Sequence, residues 1–201
     1  MITDIFSKNI ILENERVLLR PLVQGDYQFL LPFAINEPGL WKYSLVTPAG
    51  AEGMKTYIDS TLKNKTAGNE YPFIIFDRKE NEYAGSTRFY DIQQSFQSTQ
   101  LGYTWYGEKF QRTGLNRTCK FLLLQFAFEE WGLERVEFRA DANNKKSVDA
   151  MKAIGCTVEG ILRSHTPTYM DTRRNSIVLS ILKDEWFNHV KANLEKIIYN
   201  T

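Results

Sequence analysis

The chain contains 201 residues, of which 43% are hydrophobic and 24% are charged, a composition that excludes a disordered or fibrous protein. This length predicts a single domain over residues 1–201. Lys and Arg number 25 and Asp and Glu number 24, so the net charge is +1 and the chain as a whole has no electrostatic attraction to nucleic acid or to an anionic membrane.

The N-terminus and the cysteines indicate the compartment. Met1 to Ile5 lack the basic and then apolar pattern of a secretory signal, and no apolar run approaches the ~18 to 20 residues that span a bilayer. We therefore expect a cytoplasmic protein that is not inserted in a membrane. Cys119 and Cys156 have neither CxxC spacing nor histidines around them, which predicts two buried free thiols and no metal site.

The first half of the chain alternates extended and helical patterns. Asp26 is the expected cap of the first helix, and Pro32 must end or kink that helix because proline lacks an N–H donor. Thr47 and Pro48 are typical of the cap and first residue of a second helix, whose apolar face runs from Ala51 to Leu62. The predicted elements are strands over 10–12 and 16–20, these two helices, a hairpin of strands over 71–77 and 83–90, a polar loop over 91–99 and a strand over 101–106.

The second half of the chain predicts a strand, helix, strand unit. The helix spans about 114–131, and its apolar residues cover most of its circumference, so it should be packed between layers. A connection of this size predicts that the strands over 101–106 and 136–140 are parallel neighbours in an otherwise antiparallel sheet. The remaining predicted elements are a helix over 147–154, strands over 158–162 and 175–182, and a final helix over 186–197.

The segment Gln111-Arg112-Thr113-Gly114-Leu115-Asn116 lies between a predicted strand and the start of the hydrophobic helix. A helix start presents unpaired N–H groups and a partial positive charge, and Gly114 would let the backbone approach a bound anion closely. Arg112, Arg117 and Lys120 could add direct charge toward a cofactor with several phosphates. The segment therefore predicts a phosphate-binding loop. The alternative is an ordinary connection with a turn glycine and solvated basic residues.

A second candidate segment, Asn144 to Ser147, precedes the helix that ends at Gly155. Asn144 could simply cap that helix, with Ser147 in its first turn. The segment gains significance because both candidates follow predicted parallel strands, and ligands of open sheets bind beyond the carboxyl ends of such strands. We expect the two segments to border one site.

Together these segments resemble the GNAT superfamily of N-acetyltransferases, whose phosphate loop has the pattern Q/R-x-x-G-x-G/A and whose later motif has N-x-x-A/S. The last position of the loop pattern is Asn116 here, and asparagine tolerates unusual backbone angles. The chain most resembles the RimJ/RimL-type subgroup, which includes acetyltransferases of ribosomal-protein N-termini. The segments that carry this resemblance, from about Val17 to Trp186, are Thr113-Gly114-Leu115-Asn116 with Lys120, Ala127-Phe128-Glu129, Arg135-Val136-Glu137, Asn144 with Ser147, Glu159-Gly160, Leu162-Arg163 and Glu185-Trp186.

The resemblance implies an α+β fold: a mixed central sheet of about seven strands with a splayed parallel pair, flanked by four to five helices. Acetyl-CoA would enter between strands 101–106 and 135–140, its pantetheine arm on the edge of the earlier strand and its pyrophosphate on the N–H groups of residues 112–116. No metal is implied. The implied cofactor-binding residues are Tyr103, Thr104, Gln111, Arg112, Thr113, Gly114, Leu115, Asn116, Arg117 and Asn144.

The implied reaction is direct attack of a neutral amine on the thioester carbonyl, with a backbone N–H near Tyr103 or Thr104 as the oxyanion donor. The superfamily's frequent proton donor is a tyrosine seven residues after the motif asparagine, and this chain has Met151 there. Ser147 is the remaining hydroxyl of the motif and is the predicted catalytic residue, either as donor to the thiolate or as the group that positions a water. The alternative is a purely structural serine.

The proton acceptor is less well defined. Relatives in the subgroup commonly carry Glu where this chain has Gln100, and glutamine cannot accept the proton. Glu159 and His165 are candidate bases, although each could equally be a structural or surface group, and an ordered water chain is another route.

The acceptor is expected to be an amine, either a protein or peptide N-terminus or a small molecule. The segments 91–99 and 164–174 and the aromatic residues Trp41, Tyr43 and Tyr90 are expected to wall its cleft, unless those rings are core residues. Asp91, Glu159 and Asp171 could attract the amine or be solvated surface charges. The rival functions are a non-catalytic acyl-CoA-binding module, which Met151 and Gln100 favour, and a different CoA or nucleotide transferase. The sequence leaves the oligomeric state open, a homodimer included.

Overall fold

The structure is a computed structural model that describes residues 4–199. Its described strands form one mixed sheet in the order β1-β2-β3-β4-β5-β6-β8-β7, one strand more than the seven expected. Every neighbouring pair is antiparallel except β5 and β6, which confirms the predicted parallel pair. The strands are β1 Leu12–Glu13, β2 Val17–Pro21, β3 Glu70–Asp77, β4 Glu82–Gln93, β5 Ser98–Tyr106, β6 Arg135–Asp141, β7 Thr157–Pro167 and β8 Arg173–Leu182.

The helices pack on both faces of the sheet. Residues 126–130 extend α3 by a π-helical turn, and residues 186–190 join α5 to α6 in the same way. Among residues 4–199, no helix is long and apolar enough to cross a bilayer. The helices are α1 Tyr27–Asn36, α2 Gly50–Thr66, α3 Leu115–Gln125, α4 Lys145–Ala153, α5 Lys183–Glu185 and α6 Lys191–Tyr199.

Helix α1 runs through Pro32 to Asn36, so the proline does not end it, and a kink there stays a prediction. The predicted starts of both early helices were wrong. The Asp26 carboxylate caps no N–H of α1 because it binds the Arg20 guanidinium with both oxygens, at 2.9 and 2.6 Å. Helix α2 begins at Gly50 rather than at Pro48.

Alternation along the strands separates two hydrophobic clusters. Phe73 and Ile75 of β3 belong to the larger cluster, which α3, α4 and α6 cover, whereas Ile74 belongs to the smaller cluster beneath α1 and α2. Successive side chains of a strand point to opposite faces, so the two clusters lie on the two faces of the sheet. The predicted apolar face of α2 is confirmed at Met54 and Ile58, which are fully buried.

The parallel strands diverge after a short junction. Ser98, Thr99 and Gln100 pair with residues 135–137, and beyond Gln100 the two strands pair only with β4 and β8, respectively. The divergence leaves an unpaired edge on β5 from Leu101 to Tyr106, as the resemblance implied. We call the gap between this edge and residues 138–141 of β6 the wedge. Its open end lies beside the loop that leads into α3.

Candidate active site

The loop before α3 presents backbone donors. Among residues 4–199, the N–H groups of Arg112, Thr113 and Gly114 have no hydrogen-bond acceptor, whereas the N–H of Gln111 is bonded to Glu108. Arg112 and Gly114 have positive φ values of 62° and 87°, a backbone shape that turns successive N–H groups toward one side. Free donors at the start of a helix are suited to binding an anion, and the assignment of this loop to a phosphate stays a prediction.

The backbone conformation at position 114 favours glycine. Its φ of 87° is left-handed, where a residue with a Cβ is strained. A Cβ built there meets no heavy atom within 4 Å. The space in front of the loop is therefore open to a ligand. Asn116 lies inside α3 and needs no unusual backbone angle, since the left-handed positions are Arg112 and Gly114.

The structure brings the two predicted segments together. The side chain of Gln111 accepts a hydrogen bond from Lys146 Nζ at 2.6 Å and donates one to the Tyr106 carbonyl at 3.0 Å. These bonds tie the loop to the first turn of α4 on one side and to the end of β5 on the other. Asn144 Oδ1 accepts the N–H of Ser147 at 3.1 Å, so Asn144 is the cap of α4.

Ser147 lies half-buried in that first turn, with its hydroxyl free of any hydrogen bond among the described residues. Met151 lies one turn further along α4, is 7% exposed and belongs to the larger hydrophobic cluster. A thioether donates no proton, so Ser147 carries the one side-chain hydroxyl of α4.

Strand β5 carries a bulge inside the wedge. Between the pairs Arg88–Gly102 and Ser86–Trp105, β5 has one residue more than β4, and Tyr103 adopts a φ of 48°. The Arg88 guanidinium lies 3.7 Å from the centre of the Tyr103 ring and is itself bound to Glu70. A strained non-glycine residue held in this way re-aims the backbone of the strand next to the predicted ligand.

Thr104 follows the bulge and bonds into the sheet rather than to solvent. Its hydroxyl lies 2.7 Å from the hydroxyl of Thr87 and accepts a hydrogen bond from Lys120 Nζ at 2.8 Å. Lys120 was predicted to add charge at the phosphate loop, and this was wrong. Its side chain is 5% exposed and reaches from α3 into the wedge, 5.6 Å from the ring of Phe138 on β6.

The two candidate bases have different surroundings. The hydrogen bond from Arg135 to Glu159, together with one from Ser180, lowers the pKa of Glu159 and makes it a weaker proton acceptor. His165 lies 3.0 Å from Ser176 Oγ and 3.3 Å from Arg139 Nη1. Partial burial and the neighbouring guanidinium groups lower the pKa of His165, which keeps the imidazole neutral.

Gln100 is the last residue of β5 that pairs with β6, and it is 5% exposed. Its Nε2 donates to Asp91 Oδ2 at 2.6 Å. The Gln100 amide donates a hydrogen bond to the Asp91 carboxylate, whereas an ionised glutamate at this position would repel it. The carboxylate that the position lacks is present one strand away, on Asp91.

A cavity of about 200 Å³ lies beside the carboxyl end of β6. Tyr43 and the end of the 164–174 segment, both expected to wall the acceptor cleft, line this cavity. Trp41 does not, because it is 1% exposed and packs against Trp105 with ring centres 5.3 Å apart. Its prediction as a cleft wall was wrong, and the structure has the alternative, a core residue. The charged residues of the lining are Lys42, Asp141, Arg173 and Arg174.

The comparison with known families decides the assignment. The family described as "Acetyltransferase (GNAT) domain" matches residues 16–157, which include the loop before α3, the wedge and α4. The chain belongs to the GNAT acetyltransferase family. It is therefore an N-acetyltransferase, as the resemblance in its sequence implied.

Relatives of this GNAT protein include a Bacillus subtilis (strain 168) protein named "Putative ribosomal N-acetyltransferase YdaF", 25% identical over 180 residues, or 86% of this chain and 94% of the relative. Two solved structures share the fold. A GCN5-related N-acetyltransferase from Brucella melitensis has a TM-score of 0.86 at 22% identity and covers 94% of this chain and 85% of that one. Mycobacterium smegmatis RimJ in complex with CoA-disulfide has a TM-score of 0.78 at 17% identity, covering 90% and 88%. The expected fold and the RimJ/RimL-type resemblance are confirmed.

Sequence reasoning missed two features of the site. Lys146 joins the loop to α4, and no spacing rule pointed to it. A signal for the role of Lys120 did exist in the sequence. Lys120 is the charged residue of the run from Thr118 to Leu124, which is buried, and lysine is rarely buried without a polar partner. A lysine in such a run is predicted to have a polar partner inside the protein, and the structure identifies that partner as Thr104.

Proposed function

We propose that this N-acetyltransferase takes its acetyl group from acetyl-CoA and transfers it to a primary amine, on a protein or peptide N-terminus or on a small molecule. The observation that carries the proposal is the wedge whose open end meets three unbonded N–H groups, those of residues 112–114. A pantetheine arm needs an unpaired strand edge, and a diphosphate needs fixed donors at the end of that edge. The two requirements are met side by side.

The residues at the loop fit a diphosphate. The free N–H groups of Arg112, Thr113 and Gly114 would bind its oxygens, and the open space at Gly114 allows close approach of the backbone. Gln111 holds the loop in place, Leu115 and Asn116 lie in the first turn of α3, and Arg117 would add charge. Asn144 shapes the facing turn of α4 by capping it. The unpaired edge at Tyr103 and Thr104 would bind the amide groups of the arm.

The reaction is direct attack by the amine nitrogen on the thioester carbonyl. The re-aimed backbone at the Tyr103 bulge would supply a hydrogen bond to the developing oxyanion, a donor that is already fixed before the reaction. Ser147 would contact the sulfur or a water beside it, since its hydroxyl is free and faces no protein acceptor. A fixed donor to the oxyanion contributes about 10²- to 10³-fold to turnover.

The acceptor must lose a proton before or during attack. Neutral His165 and an ordered water chain are both compatible with the surroundings, whereas Glu159 is disfavoured by its ion pair with Arg135. The cavity at the end of β6 is the proposed acceptor site. Three of its charged residues, Lys42, Arg173 and Arg174, are cations and one, Asp141, is an anion, so an acceptor with a carboxylate near its amine suits it better than a polyamine.

The decisive experiment combines calorimetry with acetyl-CoA and CoA, measurement of free-thiol release with a panel of peptides and amines, and mass spectrometry of the products. We expect binding of both forms of CoA and acceptor-dependent acetylation. Tight binding with no acceptor-dependent release would favour the rival, a non-catalytic acyl-CoA-binding module. No heat with either form of CoA would overturn the proposal as a whole.

A further inference from the structure

The ammonium group of Lys120 lies between the two diverging strands. It donates to Thr104 on β5 at 2.8 Å and lies 5.6 Å from the ring of Phe138 on β6. The residue is 5% exposed, and no carboxylate among residues 4–199 pairs with it. An ammonium group has three N–H donors, and Thr104 accepts one. A buried, uncompensated cation with spare donors is costly, so its position calls for a function.

Thr104 fixes where that cation lies. The Thr104 hydroxyl is also bonded to the buried hydroxyl of Thr87, at 2.7 Å, so it cannot rotate away from Lys120 without losing both partners. Thr104 follows the Tyr103 bulge on the unpaired edge of β5. The proposed function puts the oxyanion of the thioester at this bulge, so the coenzyme A sulfur would lie near the Lys120 ammonium.

We propose that Lys120 is a catalytic residue that donates the proton to the coenzyme A sulfur as the thiolate leaves. The inference rests on the proposed function. As the amine nitrogen forms its bond to the acyl carbon, the carbon–sulfur bond breaks, and its electron pair goes to sulfur. The sulfur takes a proton from the Lys120 ammonium. The nitrogen loses its own proton to the base and solvent, and neutral Lys120 regains one from solvent, so protons balance over the cycle.

The surroundings of Lys120 suit it to this role. Burial lowers the pKa of Lys120 to about 8, close to the ~8.5 of an ordinary thiol, and matched pKa values favour proton transfer. The titratable groups that face it are the thiols of Cys119 on its own helix and Cys156 before β7. Burial raises the pKa of both thiols to about 12, so both stay neutral while Lys120 titrates. A serine hydroxyl such as that of Ser147 relays a proton but does not hold an extra one.

The first test is Lys120→Met, which keeps the length and volume of the side chain without its charge. We expect kcat for acetyl-CoA to fall about 100-fold with the KM for acetyl-CoA changed less than about threefold, because general-acid catalysis contributes roughly 10²- to 10⁴-fold. In the wild type, kcat should also fall as the pH rises through about 8, since the donor must be protonated. The variant should lack that decline. Lys65→Met is the matched control: it makes the same substitution at a lysine of α2 whose ammonium lies over the Tyr71 ring, and its kcat and pH profile should be those of wild type.

A second test needs no acceptor. The thiolate of bound CoA is followed by its ultraviolet absorbance while the pH is raised, with the two buried protein thiols silent in this range. With the Lys120 ammonium beside the sulfur, CoA bound to wild type should titrate about one pH unit below free CoA, and CoA bound to Lys120→Met should not. Were the variant not to fold, the wild-type titration against free CoA would decide.

The outcomes separate the two proposals. Wild-type turnover and an unshifted thiol, with Lys120→Met as active as wild type, overturn the assignment of Lys120 and leave the acetyl-CoA function intact. A wild type that binds no CoA overturns the proposed function itself. A variant whose KM rises in step with its loss of kcat/KM, with kcat unchanged, shows a binding role and also overturns the proton-donor assignment.

Discussion

The two ends of the proposed acetyl-CoA site would contact the ligand with different groups, backbone at one end and side chains at the other. At the loop before α3 the ligand would meet backbone N–H groups of exposed residues, whereas inside the wedge it would meet the side chains of Thr104 and Lys120 behind a bulged strand. The loop depends on which residues allow left-handed backbone, a property that one glycine in a short pattern reveals. The wedge interior depends on which residues from β4, β5 and α3 meet in space. Binding should therefore respond to backbone changes at the loop, and turnover to side-chain changes in the wedge.

The largest expected effect is at the loop. Gly114→Val forces a β-branched residue into a left-handed φ and puts its side chain where the diphosphate would lie, so we expect the affinity for CoA to fall about 100-fold by calorimetry. Gly50→Val is the control, because Gly50 also begins a helix with a positive φ of 76° and open space around a Cβ. Both variants should lose about 1–2 kcal/mol of stability. Equal loss of affinity in both would show that strain alone, and not the loop, was responsible.

A smaller effect is expected at Ser147, in the first turn of α4. Ser147→Ala should lower kcat about tenfold with little change in CoA affinity, because the hydroxyl is free in the structure. The helix should keep its stability, since the Asn144 cap accepts the N–H of Ser147 and not its hydroxyl. Asn144→Ala, by contrast, should cost about 1 kcal/mol in thermal unfolding. Unchanged turnover in Ser147→Ala would remove the catalytic assignment of this residue.

The cost of the buried cation gives a prediction about stability. The pKa of Lys120 is about 8 in the folded chain against 10.5 ordinarily, so between these values the unfolded chain binds more protons and stability rises with pH. Below about pH 8 the cost of burial is present in full. Lys120→Met should therefore raise the free energy of unfolding by about 1–3 kcal/mol at pH 7 and by less at pH 10. A variant that is less stable than the wild type at pH 7 would contradict this prediction and show that Lys120 stabilises the folded chain.

The smallest expected effect concerns the exposed charge of the loop. Arg112→Ala should weaken CoA binding only about two- to threefold, and salt should reduce the difference further, because the guanidinium is exposed and screened. The measurement is calorimetry at low and high salt. A loss as large as that of Gly114→Val would mean that side-chain charge and not the backbone dominates the loop.

Much of the architecture could be predicted because it depends on local pattern. The parallel pair, the helix α3 and the hairpin of β3 and β4 follow from periodicity and turn residues near one another in sequence. The failures share a cause. Asp26 failed as a cap because Arg20 on a strand takes its carboxylate, and Trp41 failed as a cleft wall because Trp105 packs on it in the core. Contacts between residues distant in sequence, such as that of Lys120 with Thr104, carry no periodic signal.

Only three residue pairs join β5 to β6, between a five-stranded and a three-stranded part of the sheet. A chain-like molecule lying in the gap would complete hydrogen bonds that the protein leaves unmade on the β5 edge, much as a ninth strand would. Binding of the acyl donor would then also strengthen the connection between the two parts of the sheet. Slower amide exchange along residues 101–106 would record it.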